Sequence, residues 1–307
     1  MTIDVIVPAY KPGEKFIELL NKLCEQSVAI NRVIVMNTVD NESDVYCPDS
    51  KLKECLNIDV YPVKRLEFDH GGTRHEGMLH SAADICVLMT QDAIPYDNEL
   101  IANLIEPLQD DMVAVSYARQ LAYENSSVEE KLTREFNYPE ESRIKDIEDV
   151  DELQIKAFFC SNVCCAYRRS IYLENDGFEK KTIFNEDMLY AAKIEKAGYK
   201  VAYSAMAKVY HSHEYTGKQQ FKRNFDNGVS HALHPEVFEG ITQEGEGLRM
   251  VKTVLRRMLS HGKLGEACKY IFRTGCKFIG FKLGCRYSRL PRRIVLACTS
   301  NRAFFEK

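Results

Sequence analysis

The stretch that most constrains this chain is residues 84–97, DICVLMTQDAIPYD. Its apolar run, residues 85–89, is typical of a strand that is buried on both faces. The polar residues Thr90, Gln91 and Asp92 follow at once, and Pro95 cannot continue a strand ladder. The stretch therefore predicts a buried strand that ends in a carboxylate at the edge of a sheet, where open α/β sheets bind their ligands. The alternative is an aspartate that only begins a turn before Pro95.

The N-terminal third predicts an α/β fold. Residues 3–9 and 32–36 are further buried strands, and residues 60–63 favour another. Residues 14–26 carry apolar side chains at helical spacing between the first two strands. This β-α-β order predicts a parallel, doubly wound sheet with right-handed crossovers. No GxGxxG follows the first strand and no GxxxxGK[ST] occurs, which argues against a dinucleotide fold and a phosphate-loop ATPase.

Charge is unevenly divided along the 307 residues. From Leu248 to the end there are 15 Lys and Arg against 2 acids, while the rest holds 26 bases against 43 acids. This C-terminal part also has apolar residues at helical spacing, which predicts basic amphipathic helices that bind an anionic membrane surface. The alternative is a helical bundle that packs on the main domain with a basic outer face. We expect no nucleic-acid partner, since no recognised binding motif accompanies the charge.

The cysteines and the hydropathy indicate a cytosolic protein. The eleven cysteines are scattered, and several lie in apolar runs where a reduced thiol behaves as a small hydrophobe. The N-terminus predicts a strand rather than a signal peptide. No apolar run approaches the roughly 18 residues of a spanning helix.

Three polar segments are candidate site segments. Residues 68–83, FDHGGTRHEGMLHSAA, predict a tight glycine turn near a ligand, followed by a helix in which Arg74 contacts an anion. Glu186 and Asp187 begin a predicted helix, either to complement its dipole or to supply a general base. His211 and His213 would project to the same side of an extended segment, as metal or phosphate ligands or as an ordinary polar loop pair.

Taken in order, IVPAYKP, HGGTR, LMTQDAIP, SNVCCAYRR, NEDMLYAAKIEKAGYKVAY and VYHSHEYT resemble the inverting family 2 glycosyltransferases of the GT-A fold. The HGxTR and TQDA forms are most similar to rhamnosyltransferases that build bacterial surface polysaccharides. The resemblance covers about residues 1–230. It implies a mostly parallel central sheet flanked by helices, with the basic helices as a C-terminal appendage.

The resemblance also implies roles for individual residues. Asp187 matches the catalytic base, and Asp92 matches the last acid of the DxD motif, which holds Mg²⁺ or Mn²⁺ on the donor diphosphate. Thr90 stands where the first acid of that motif would be. His211 or His213 would be a further metal or phosphate ligand. The residues implied to contact the nucleotide or its diphosphate are Pro8, Tyr10, Asn37, Asp69, Gly71, Arg74, Gln91, Asp92 and Glu186.

The resulting hypothesis is a GT-A domain at residues 1–240 and a basic helical region at residues 241–307. It would transfer L-rhamnose from dTDP-L-rhamnose to a lipid-linked oligosaccharide at the inner face of the cell membrane. Homo-oligomerisation is left open. The alternatives are a UDP-sugar donor, an inactive nucleotide-sugar-binding subunit, and a membrane scaffold whose basic tail is the active part.

Overall fold

The computed structural model describes residues 1–241 and 244–306. The strands in this part of the chain are β1 (Ile3–Tyr10), β2 (Arg32–Val39), β3 (Ile58–Lys64), β4 (Ile85–Met89), β5 (Ile94–Pro95), β6 (Val113–Leu121), β7 (Arg143–Lys145), β8 (Cys164–Arg168) and β9 (Lys200–Tyr210).

The first eight helices are α1 (Glu14–Cys24), α2 (Ser50–Cys55), α3 (His70–His80), α4 (Leu100–Ile105), α5 (Val128–Asn137), α6 (Val150–Leu153), α7 (Arg169–Glu174) and α8 (Glu186–Lys196). The helices that follow are α9 (Gly217–Leu233), α10 (Pro235–Phe238), α11 (Glu244–Ser260), α12 (Leu264–Gly284), α13 (Arg292–Cys298) and α14 (Arg302–Glu306).

The strands form one sheet in the order β3-β2-β1-β4-β8-β6-β9-β5, and β7 pairs with β9. The four strands from β3 to β4 are parallel to one another, as are β6 and β9. Strand β8 runs antiparallel between β4 and β6. The predicted α/β fold with a mostly parallel central sheet and C-terminal helices is confirmed. Because β8 is reversed, its first residues lie at the edge where β4 ends.

The described chain divides into two compact units. The first contains residues 1–121, 138–180 and 186–211, and therefore the whole sheet. Strands β1, β2 and β4 are almost completely buried, as their apolar sequences predict. Helix α1 turns an apolar stripe to the core, formed by Phe16, Leu19, Leu20 and Leu23. Cys24 and Cys55 form a disulfide between the ends of α1 and α2, so the expectation of reduced cysteines does not hold for this pair.

The second unit contains residues 122–137, 181–185 and 212–307 as far as they are described. Helices α9 and α12 pack closely through glycines, and α11 packs against α12 and α5. The buried side chains of Val254, Met258 and Tyr270 form an apolar cluster between these helices. The boundary predicted between residues 240 and 241 falls within this second unit. The division into a GT-A domain and a separate basic helical region stays a prediction.

Among the described helices, none combines the length and the apolar character that crossing a membrane requires.

One local prediction was wrong. The glycines of residues 71–72 were expected in a tight turn, but α3 begins at His70 and includes both of them. The side chain of Asp69 accepts a hydrogen bond from the backbone N–H of Gly72 at 2.7 Å. This N-cap satisfies a donor that the first helical turn leaves unpaired, so the helix starts before the glycines.

Candidate active site

The candidate site lies at the edge of the sheet where β1, β2 and β4 end. The backbone N–H of Thr90, just beyond β4, donates to the carbonyl oxygen of Val163 at 3.0 Å. This bond places Asn162, which precedes β8, beside the segment that carries Asp92. The position of Asp92 at the end of a buried strand, predicted from its sequence, is confirmed.

Gln91 joins the ends of two strands. Its Oε1 accepts from the backbone N–H of Tyr10 at 2.8 Å, and its Nε2 donates to the carbonyl oxygen of Tyr10 at 3.2 Å. The neighbouring Asn37 is buried, and its Oδ1 accepts from the backbone N–H of Tyr46 at 2.7 Å. Both side chains therefore hold the backbone of this edge in place.

Tyr10 lies between two cations at the same edge. The Nζ atom of Lys11 is 5.1 Å from its ring centre, and the guanidinium carbon of Arg65 is 5.3 Å from it. Lys11 and Arg65 each form an ion pair with Asp40, at 3.2 and 3.1 Å. The hydrogen bonds from Arg65 and then Lys11 lower the pKa of Asp40. The sequence did not single out these cations, which give an exposed positive patch beside the end of β1.

Asp187 stands in the first turn of α8 with both carboxylate oxygens held. Its Oδ2 accepts from the backbone N–H of Asn162 at 3.0 Å, and its Oδ1 accepts from the backbone N–H of Met188 at 2.9 Å. Asp187 as a whole residue is partly exposed, but its carboxyl group is withdrawn from water. A carboxylate oxygen has two acceptor sites, so each keeps capacity for one more proton donor.

Glu186 is buried and paired. Its Oε1 lies 3.2 Å from Nη1 of Arg74 and accepts from Nδ2 of Asn162 at 3.1 Å. The same Arg74 atom donates to the carbonyl oxygen of His70 at 3.0 Å. Asn162 in turn accepts at Oδ1 from the hydroxyl of Tyr167 at 2.7 Å. Asn162 thus contacts both carboxylates, one through its side chain and one through its backbone.

The two adjacent carboxyl groups have opposite pKa shifts. Burial raises the pKa of Asp187 to about 7, with the charge of Glu186 as the second cause. Burial also acts against ionisation of Glu186, but the charges of Arg74 and His70 and the hydrogen bond from Asn162 outweigh it and lower its pKa. Separated pKa values are typical of carboxylates with different tasks: the ion pair keeps Glu186 ionised, whereas Asp187 can change its protonation state near pH 7.

Asp92 and His211 form a second cluster. Oδ1 of Asp92 lies 3.7 Å from Nε2 of His211. Nδ1 of His211 is 3.0 Å from Oε1 of Gln120, whose Nε2 donates to the hydroxyls of Tyr138 and Ser161. Because the amide oxygen of Gln120 can only accept, it selects the tautomer of His211 with the proton on Nδ1. Nε2 then keeps its lone pair toward Asp92, as a metal ligand requires.

Two buried donors at this edge have no hydrogen-bond partner among the described residues. They are Nε of Arg74 and the hydroxyl of Thr90. An unpaired buried donor is costly unless a ligand or water completes it. Both donors suit an anionic or sugar ligand.

The other residues that the sequence predicted for the site either lie at the same edge of the sheet or support the local backbone. Pro8 and Tyr10 are among the last three residues of strand β1, which pair with β2. Asp69 caps α3, and Gly71 is buried in its first turn. His213 belongs to the second unit, where its ring is 5.3 Å from that of Tyr215, and its role as a ligand stays a prediction.

Sequence reasoning missed Asn162 and Gln120 as site residues. The signal for Asn162 was present, since it is a polar residue inside the apolar run 158–167. Gln120 is the last residue but one of β6, and no pattern in that strand distinguishes it.

Residues 4–175 match Glycosyl transferase family 2. The chain belongs to this family. The match includes β1, Arg74, Asp92 and Asn162 and ends before the helix that carries Asp187.

Two curated relatives match this glycosyltransferase over nearly its whole length. The O-antigen chain rhamnosyltransferase RfbN of Salmonella typhimurium strain LT2 is 37% identical over 295 residues, which cover 95% of this chain and 92% of the relative. The O-antigen chain rhamnosyltransferase WbaN of Salmonella anatum is 34% identical over 295 residues, which cover 94% of this chain and 91% of the relative.

Solved structures share the fold of this glycosyltransferase. The mannosyltransferase PcManGT from Pyrobaculum calidifontis, in complex with GDP-Man and Mn²⁺, has a TM-score of 0.59 and 14% identity, and covers 99% of this chain and 88% of that chain. S. aureus TarS 1-349 in complex with UDP-GlcNAc has a TM-score of 0.53 and 15% identity, with coverage of 99% and 85%. At these identities the likeness shows the fold alone, and it confirms the predicted GT-A class.

Proposed function

We propose that this glycosyltransferase moves L-rhamnose from dTDP-L-rhamnose, with inversion, to a hydroxyl of a lipid-linked oligosaccharide in the synthesis of a bacterial surface polysaccharide. Family membership supports glycosyl transfer. The names of both relatives support rhamnose as the sugar and an O-antigen chain as the acceptor. The HGGTR and TQDA segments support the same choice.

The observation that carries the mechanism is the environment of Asp187. Two backbone N–H groups fix its carboxylate, and its pKa of about 7 is near the working pH of a general base. A carboxylate with an ordinary pKa would be a weaker proton acceptor. Asp187 is therefore the group we assign to the acceptor hydroxyl.

The transfer needs one base and one departing diphosphate. As the acceptor oxygen attacks the anomeric carbon, Asp187 takes its proton. The bond from the anomeric carbon to the diphosphate oxygen breaks, and the electron pair leaves with the nucleoside diphosphate. Since attack and departure occur on opposite faces of the sugar, the configuration inverts. Nε of Arg74 and the hydroxyl of Thr90 are available to donate to the donor's polar groups.

The residues present fit a divalent metal. Asp92 offers a carboxylate, and His211 presents Nε2 in the tautomer that Gln120 selects. Asp92 and His211 would hold Mg²⁺ or Mn²⁺, with His213 proposed as a further ligand. When bound, such an ion neutralises negative charge on the diphosphate.

The proposed setting is the cytoplasmic face of the cell membrane, where a lipid-linked acceptor is found. Residues 241–307, as a separate basic helical region beside a GT-A domain at residues 1–240, would contact the anionic membrane surface. The charge balance of +13 from Leu248 onward supports this attachment. Disulfides such as Cys24–Cys55 are uncommon in a reducing compartment. Counting the free thiols of protein isolated without oxidants therefore tests the proposed cytoplasmic location.

Thermal-shift titration against nucleotide sugars, with and without Mg²⁺ or Mn²⁺, tests the donor. A ligand that binds only the folded state raises the melting temperature. We expect the largest shift with dTDP-L-rhamnose, increased by metal in the wild type but not in His211→Ala. A shift with UDP-sugars alone would replace the donor and keep the mechanism. No shift with any nucleotide sugar would favour an inactive subunit or a scaffold.

Substitution of the base tests the reaction. Asp187→Asn keeps the shape of the side chain but cannot accept the proton, so the turnover number for rhamnose transfer should fall roughly 10²- to 10⁴-fold. Donor binding, measured by thermal shift, should change little. Asp111→Asn is the matched control, because Asp111 is exposed and precedes β6 at the opposite edge of the sheet. Near-normal turnover of Asp187→Asn would remove Asp187 from its role.

A further inference from the structure

Helix α12 exposes a continuous apolar face. The large side chains of Leu264, Ile271, Phe272, Phe278 and Ile279 are between 55% and 68% exposed. At 100° per residue these positions, together with the exposed Cys268, fall on one side of the helix over about four turns. We call these six residues the α12 stripe. An apolar patch of this kind on a folded protein usually marks an interaction site.

The packing of the second unit fixes the direction of the stripe. The opposite side of α12 carries Gly280 and Gly284, which lie against the backbone of α9. A methyl group on Gly280 would run into the carbonyl oxygen of Phe221, and one on Gly284 into that of Phe225. Tyr270, on the same inner side, is completely buried. Helix α12 therefore cannot rotate to bury the stripe without losing this close glycine contact.

The charges around the stripe are positive. Lys282 continues the line of the stripe toward the C-terminal end of α12, where its Nζ atom lies 5.6 Å from the ring centre of Phe278. Arg286 is exposed just beyond the end of this helix. Lys269 is exposed beside it. Glu266 is the one acid in the sequence of α12, and it projects about 160° away from Leu264 by helical geometry. Arg273 forms an ion pair with Glu129 on α5 at 2.8 Å, on the inner side.

We infer that the α12 stripe inserts into the interface of an anionic lipid bilayer, with α12 lying along the membrane plane. The apolar side chains enter the boundary of the acyl chains, while Lys269, Lys282 and Arg286 remain at the phosphate level. A second copy of this chain is a poorer occupant, since pairing two stripes would bring like charges together. This inference rests on the proposed function for its purpose, which is to bring the enzyme to a lipid-linked acceptor, and it names the surface that does so.

Vesicle co-sedimentation of the full-length protein tests the inference. Wild-type protein should bind vesicles that contain phosphatidylglycerol, bind pure phosphatidylcholine more weakly, and dissociate as salt rises. The triple variant Ile271→Gln, Phe278→Gln, Ile279→Gln should lose about tenfold or more in partitioning, because three apolar side chains no longer enter the interface. Glutamine keeps a good helix propensity at these exposed positions.

The matched control removes three exposed apolar side chains elsewhere. Ile17→Gln, Met112→Gln, Met206→Gln lie on the first unit, at 43%, 46% and 58% exposure, and should leave vesicle binding unchanged. Melting temperature and circular dichroism confirm that each variant is folded.

Three outcomes would overturn the inference. They are failure of the wild type to bind phosphatidylglycerol vesicles, equal binding by the triple variant, and a wild-type dimer that the triple variant converts to monomer without any vesicle binding. The last result would make a second copy the occupant. Donor thermal shift keeps the two proposals apart. Lipid binding without donor binding contradicts the proposed glycosyl transfer and leaves the stripe, whereas donor binding without lipid binding contradicts the stripe and the membrane setting and leaves the transfer.

Discussion

The two adjacent carboxyl groups in this site have different pKa values because their surroundings differ. Glu186 and Asp187 are adjacent in sequence and share the partner Asn162. Arg74 compensates the charge of Glu186, whereas the nearest charge that raises the pKa of Asp187 is Glu186 itself. The buried ion pair thus holds a negative charge beside the proposed base and makes that base stronger.

The pH dependence of the reaction follows from this arrangement. Asp187 must be ionised to take a proton, so kcat/KM should rise with pH and level off above a pKa of about 7. Burial and the charge of Glu186 both favour the protonated form, so activity is lost below this pKa rather than near the ordinary carboxyl value of about 4. Steady-state rates between pH 5 and pH 9 measure this rise of kcat/KM with pH. The Asp111→Asn variant should show the rise at the same pH, and a rise near pH 4 would contradict the assignment of Asp187.

We propose that Gln120 is a positioning residue for the proposed metal site. Gln120→Leu removes the acceptor that selects the His211 tautomer, and Mn²⁺ affinity should fall roughly 10- to 100-fold. Gln120→Glu keeps an acceptor for Nδ1–H and should restore most of the affinity. Electron paramagnetic resonance of free Mn²⁺ measures binding without substrate turnover. Equal affinities in all three proteins would show that the tautomer of His211 does not matter.

At the scale of elements, the close contact of α9 with α12 depends on glycine. Gly280→Ala places a methyl group against the carbonyl oxygen of Phe221 and should lower the free energy of unfolding by about 1–3 kcal/mol. Gly275→Ala, in the same helix, meets no atom within 4 Å and should raise it by about 0.5–1 kcal/mol through helix propensity. Urea unfolding measures the free energy of unfolding of both variants. Equal changes would mean that α9 and α12 are less closely packed than described.

Strand β7 and helix α8 each contribute one buried ionisable side chain, Lys145 and Glu195. Burial raises the pKa of Glu195 to about 8, although the charge of Lys145 acts to lower it. Burial also lowers the pKa of Lys145 to about 8. Nζ of Lys145 donates to the carbonyl oxygens of Lys156 and Phe159, whereas both oxygens of Glu195 lack a hydrogen-bond partner among the described residues.

The raised pKa of Glu195 predicts a stability that falls as pH rises. Between the unfolded value and about 8, the folded state keeps a proton that the unfolded state releases, so stability is lost across this window. Glu195→Gln removes the group, and from pH 5 to pH 7 its stability relative to wild type should improve by about 1–2 kcal/mol. Urea midpoints at both pH values measure this. The exposed Glu174→Gln is the control, and parallel changes in all three proteins would contradict the shift.

The strands and helices were easier to predict from the sequence than the pairing of the strands in the sheet. Apolar runs identified β1, β2 and β4, and helical spacing identified α1 and the C-terminal helices. The start of α3 was mispredicted because the cap at Asp69 outweighed the turn preference of two glycines. Periodicity tells which face of a strand is buried but not which strand lies beside it. The polar character of Asn162 inside an apolar run was visible in the sequence. The contacts that Asn162 and Gln120 make depend on β8 and β9 pairing with distant strands, and the sequence did not show that pairing.

At the scale of the whole molecule, the site collects residues from distant parts of one sheet. Tyr10, Arg74, Asp92, Asn162 and Asp187 come from separate elements and meet at one edge. Binding of the donor should therefore protect backbone amides in β1, β4, β8 and α8 together from hydrogen exchange, because each must be in place for the site to exist. Exchange mass spectrometry with and without dTDP-L-rhamnose measures this. Protection limited to one segment would indicate a site smaller than the one described.

The reversed strand β8 has a consequence for synthesis on the ribosome. Strands β1, β2 and β4 are made first and can pair at once, but β8 is the partner of the free side of β4 and follows only after residues 90–163. Throughout that interval the nascent chain presents the unpaired apolar sequence ICVLM, which is a site for aggregation. We therefore expect the growing polypeptide to be most prone to aggregation at this stage of its synthesis.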